Sequence, residues 1–84
     1  MDEFQRGIIR AVRAEGGLLG LTLENPKTGQ RSYVVGDNGP TVRALAEVFG
    51  DDIIEGHALI VDRLIGQEIG YRLNEFGVLE YLES

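Results

Sequence analysis

Apolar residues recur at every second position over most of this chain and at helical spacing over one stretch. From Pro40 to Phe49, Val42, Leu45, Ala46 and Phe49 fall at i, i+3, i+4 and i+7, one face of a 3.6-residue helix. Pro40 suits a first helical position, and Gly50 follows as a C′ residue. Elsewhere the period is two. Leu19, Leu21 and Leu23 share one side of a strand predicted over Leu18–Glu24. Ile69, Tyr71 and Leu73 share one side of another over Gln67–Asn74, opposite Glu68, Gly70 and Arg72. The alternation is broken in the first strand, near Arg6–Ala14, where Ile9 and Ala11 have one parity and Ile8 and Val12 the other. A β-bulge near Arg10–Ala11 would return Ile9 and Val12 to the same side. Shorter strands are predicted near Gln30–Val35, His57–Asp62 and Val78–Leu82.

Turn chemistry separates these segments. Gly16-Gly17, Asn25-Pro26-Lys27-Thr28-Gly29, Gly36-Asp37-Asn38-Gly39 and Asn74-Glu75-Phe76-Gly77 all carry the residues that tight turns need. Asp51 to Gly56 is an acidic connector. The order strand-strand-strand-helix-strand-strand is that of a small OB-like β-barrel. The sequence therefore predicts a mainly β fold with one helix, its sixth strand signal being an edge ribbon or a swapped arm. Neither an internal repeat nor a linker interrupts it, and residues 1–84 are expected to form a single small domain.

Charge changes this picture by halves. Residues 1–43 carry six basic and five acidic side chains, and residues 44–84 carry two and nine, which gives the net −6. That sign opposes non-specific attraction to nucleic acid or anionic lipid. Seven of the eight cations are arginine. Arg6, Arg10, Arg13 and Arg31, with Tyr33, form a candidate patch for an anion or a partner, because guanidinium suits bidentate pairing with carboxylate or phosphate. The zero cysteine count removes disulfides and thiolate metal sites. The opening Met-Asp-Glu lacks the basic character of a secretory signal, and the longest unbroken apolar run, Ala58–Val61, falls far short of a membrane span. A cytoplasmic protein without a membrane partner is expected.

Catalytic constellations are missing from the sequence. Its serines are Ser32 and Ser84, no G-x-S-x-G occurs, and His57 stands alone as a base or metal ligand. Asp51, Asp52 and Glu55 do not match an EF-hand loop, and Gly16-Gly17-Leu18-Leu19-Gly20 lacks the GK[ST] of a phosphate loop. No catalytic, cofactor or metal residue is assigned, no cofactor is expected, and the chain reads as non-catalytic.

The segment GIIRAVRAEGGLLGL, residues 7–21, resembles the opening of cold-shock proteins, and GQEIGYRLNE, residues 66–75, is similar to one of their later strands. The resemblance implies an OB-type barrel and a single-strand nucleic-acid function. That function rests on aromatics that stack bases, and the corresponding stretch here holds Ala11, Val12, Leu18, Leu19 and Gly20, leaving Tyr33 as the aromatic near the expected face. Nucleic acid is therefore a disfavoured partner. An acidic decoy, its C-terminal half imitating a phosphate backbone, is a further alternative.

The favoured reading is a small protein-binding module that associates with itself. Apolar residues occupy both parities at Ile8-Ile9, Leu18-Leu19 and Ala58–Val61, with Leu64 and Ile65 just beyond, more than one helix can cover. Leu18, Leu59, Ile60, Leu64 and Ile65 are the candidate subunit interface. A symmetric homodimer is the expected assembly, with another protein as the alternative partner.

Overall fold

The alternating segments become strands β1 (Gln5–Glu15), β2 (Leu18–Glu24), β3 (Arg31–Asp37), β4 (Ile54–Glu55), β5 (Ala58–Leu59), β6 (Glu68–Leu73) and β7 (Leu79–Glu83). These come from a computed structural model that describes residues 4–84. The helical segment becomes α1 (Asn38–Phe49), between β3 and β4. The chain is thus mainly β with one α-helix. Five strands form one antiparallel sheet in the order β3-β2-β1-β6-β7, and β4-β5 is a separate two-stranded ribbon. The sixth strand signal of the sequence is accounted for by this ribbon. The outer strands of the main sheet meet at one isolated parallel bridge, Val35 to Val78, rather than along a ladder.

The bulge lies where the broken alternation puts it. In the β1–β2 ladder Ile9 faces Leu23 and Ala11 faces Thr22, so Arg10 is the extra residue. Ile9 is then fully buried and Val12 packs against the same core. Leu19, Leu21 and Leu23 are all buried beside them, joined by Val34, Leu45, Ile69 and Leu82. Tyr71 also lies in this core, and burial pushes its phenol pKa up.

Local chemistry fixes the turns. The Asn25 side chain accepts hydrogen bonds from the Lys27 and Thr28 amides, and Gly29 takes φ +75° before β3 begins. Helix α1 starts two residues before Pro40 and ends at Gly50, whose φ of +90° lets its N–H reach the Ala46 carbonyl. Its buried line runs through Thr41 and Leu45, while Val42, Ala46 and Phe49 pack half-buried at the core margin. Thr41 goes inward because Gly36 of β3 has no side chain: a Cβ there would lie 2.5 Å from the Thr41 hydroxyl and 3.2 Å from Leu79 Cβ.

The segment after α1 departs from expectation. The strand predicted over His57–Asp62 is reduced to Ala58–Leu59, and Val61–Arg63 is a 3-10 turn. The Ile60 amide bonds back to the Ile53 carbonyl at 2.6 Å, and the Leu64 amide bonds to the Val61 carbonyl at 2.9 Å. The chain wraps around the core end instead of crossing it, which is why its apolar residues occupy both parities. Leu64 becomes a core residue with no exposed surface.

Two substitutions test this packing. Leu21→Ala should lower unfolding free energy in urea by about 2–5 kcal/mol, the range for a buried leucine truncation. Gly36→Ala, which adds one methyl against Thr41 and Leu79, should cost about 1–3 kcal/mol through overpacking.

Candidate binding face

Register decides which side chains share the outer face of β1, β2 and β3. Directly opposed residues lie on the same side of a sheet. One outer row is Glu15–Leu18–Asp37, the next is Arg13–Gly20–Val35, and a third is Ala11–Thr22–Tyr33. A fourth contains Ile8, Glu24 and Arg31, with bulged Arg10 alongside. Leu18 is 45% exposed and Tyr33 59%. The Tyr33 ring leans diagonally over Gly20, occupying the space where a Cβ at residue 20 would stand. Leu18, Gly20, Tyr33 and Val35 line a shallow groove of about 380 Å³, with Arg13 and Glu15 at its rim.

The arginines predicted as a patch do not stand free. Arg10 and Arg31 both reach Glu24, one to each carboxylate oxygen, at 3.0 Å. Arg13 pairs with Glu15 at 3.1 Å. Arg6 lies further along β1 and pairs with Glu68 of β6 at 2.9 Å, also donating to the Ser84 carbonyl. Hydrogen bonds from Arg10 and then Arg31 hold the Glu24 carboxyl below its usual range. Arg10, Arg13, Arg31 and Tyr33 thus share the outer face of β1–β3, Arg6 falls outside it, and all four guanidiniums carry a carboxylate partner.

The predicted interface residues are divided. Leu18 is on the outer face of β2, and Ile65 is 39% exposed in the loop before β6. Leu59 and Ile60 are half-buried around the wrapped segment rather than on opposite faces of a strand. Leu64 is removed from the interface set, because its side chain closes the core. Leu59 also helps line a second groove of about 290 Å³ with Val12, Leu19, Val42 and Val61, and His57 stands at its edge.

Three features escaped sequence reasoning. Val35 and Val78 are brought together by the bridge between the outer strands. Arg72 is held between two rings, 5.6 Å from the Phe4 centroid and 5.5 Å from that of Tyr81. Phe76, at the tip of the β6–β7 turn, is 81% exposed, the largest exposure of any large apolar residue described. A bulky apolar residue among turn formers was the available signal for it. Among the described residues no three His, Asp or Glu side chains gather as a metal-ion cluster, and no helix is long and apolar enough to cross a membrane. Comparison of the chain with protein-family models, curated proteins and solved structures finds no match.

The Glu24 bridge sets a pH dependence. A carboxylate with a lowered folded pKa stabilises the fold above its ordinary range, and the gain is lost as pH falls through the folded value. Glu24→Gln should therefore be less stable than wild type near neutrality, and the two should converge below about pH 4. Urea titrations across that range, with the Glu24 carboxyl followed by NMR, check both the sign and the residue.

Proposed function

We propose that this chain is a non-catalytic, small OB-like barrel that binds protein through the outer face of β1–β3, beginning with a second copy of itself. The observation that carries this reading is the composition of that face. Leu18, Val35 and Tyr33 lie open there while Arg10, Arg13 and Arg31 are each paired with a carboxylate. An apolar centre with internally compensated charge suits a protein surface better than a phosphate backbone. The barrel assignment is supported by the sheet order β3-β2-β1-β6-β7, by α1 between β3 and the later strands, and by the Val35–Val78 contact of the outer strands. The cold-shock-like segments fall on β1–β2 and around β6, in keeping with the same reading. The absence of cysteine suits the cytoplasmic setting proposed for it.

Nucleic-acid binding is the competing function, and Tyr33 is the feature that favours it. One stacked base supplies roughly 1–3 kcal/mol, too little for tight binding without free cations around it. In fluorescence anisotropy, labelled single-stranded DNA and RNA should show no binding tighter than about 100 µM at physiological salt, the weak end of non-specific affinity. In sedimentation equilibrium the protein should be a dimer at micromolar concentration. Sub-micromolar oligonucleotide binding that falls steeply with salt would replace the protein-binding reading with the nucleic-acid one.

A further inference from the structure

The β6–β7 turn holds Phe76 in water by four hydrogen bonds. The Asn74 side-chain oxygen accepts from the Phe76 amide at 2.9 Å and the Val78 amide at 3.0 Å. The Asn74 amide donates to the Val78 carbonyl at 2.8 Å, and the Gly77 amide to the Asn74 carbonyl at 3.0 Å. Gly77 takes φ +78°, a conformation that ties the turn to glycine there. The exposed ring is therefore presented by backbone that is already ordered, so docking it costs little further conformational entropy.

The groove of the outer face is continuous with this knob. Val35 lines the groove and also bridges Val78, two residues from Phe76. Gly20 keeps the groove floor low, with Tyr33 and Leu18 as its apolar walls. The charges around the two parts are opposite. Glu75 precedes the knob, while Arg13 stands at the groove rim. Arg13 is held by Glu15 through a pair whose side chains are 70% and 73% exposed, so exchanging that partner for another carboxylate costs little.

Resting on the self-association reading above, we infer that the dimer forms by reciprocal exchange: Phe76 of each copy enters the Leu18–Tyr33–Val35 groove of the other, with Glu75 meeting the Arg13 of the other copy. The occupant is a second copy because knob and groove lie on one continuous surface and carry opposite charges. A two-fold axis then satisfies both at once and closes the assembly.

Sedimentation equilibrium of the full chain and its variants tests this. Phe76→Ser should leave the far-ultraviolet circular dichroism and the melting temperature unchanged, since the ring is exposed, and weaken dimerisation roughly tenfold or more, as loss of a central aromatic anchor does. Leu18→Asp should do the same. Arg13→Glu and Glu75→Arg should each weaken the dimer, and the double variant should recover it. A wild type that stays monomeric at all concentrations would defeat the self-association reading and this inference with it. A wild-type dimer indifferent to Phe76→Ser would defeat the knob alone, leaving self-association in place. Dimer loss on Phe76→Ser but not on Leu18→Asp would send the ring elsewhere and overturn the groove. Open-ended growth beyond a dimer would overturn reciprocal exchange.

Discussion

Strand β1 pairs with β2 along Ile8–Glu15 and with β6 along Gln5–Ile8, on opposite edges, and the rest of the sheet is hung from those two ladders. The change of partner happens beside the bulge at Arg10. Without the extra residue, the second half of β1 would turn over, sending Arg13 toward the core and Val12 to water. A buried, unpartnered guanidinium would cost far more than the bulge does. Gly7 supports the same crossing, since a Cβ there would lie 2.9 Å from the Leu23 Cβ and 3.3 Å from the Tyr71 ring. One irregular strand thus lets Leu21, Leu23, Ile69 and Tyr71 meet in one core.

The two outer regions of the sheet that β1 divides have different characters. Around β6 and β7 the polar groups are tied to one another. Arg6 binds Glu68, and Arg72 lies between Phe4 and Tyr81 with Glu80 at 3.5 Å. Around β2 and β3 the arginines are tied down just as fully, but apolar surface remains open between them. Glu24 is central to that arrangement because it serves Arg10 of β1 and Arg31 of β3 from the strand between them. Neutralising the cations in this way lowers the electrostatic attraction of the face for phosphate while leaving its shape and apolar area intact.

Glycine placement links fold to surface. Gly36 makes room for Thr41 and so seats α1 against β3, while Gly20 makes room for Tyr33 and so shapes the outer groove. The first works inside the core and the second outside it, on adjacent strands. Each acts through the absence of a Cβ in a crowded place rather than through an unusual backbone angle.

Short-range pattern was enough for the sequence to determine α1, the inward set Leu19, Leu21 and Leu23, the bulge beside Ile9 and the Asn25–Gly29 turn. In each, the information lies within about ten residues, which is the reach of helical or strand periodicity and of turn chemistry. The segment from His57 to Ile65 was not legible in the same way. Apolar residues on both parities are compatible with a doubly buried strand or with a chain wrapping a core end, and only contacts with Ile53 and the core select the second. The fate of the arginines was also beyond the sequence. Glu24 lies 14 residues from Arg10 and seven from Arg31, and strand register alone brings the three together. The same holds for Val35 and Val78, 43 positions apart along the chain and adjacent only where the outer strands touch. Local pattern determined which faces turn inward, and tertiary register decided what the outward faces place side by side, because a contact between distant strands depends on every turn and bulge between them.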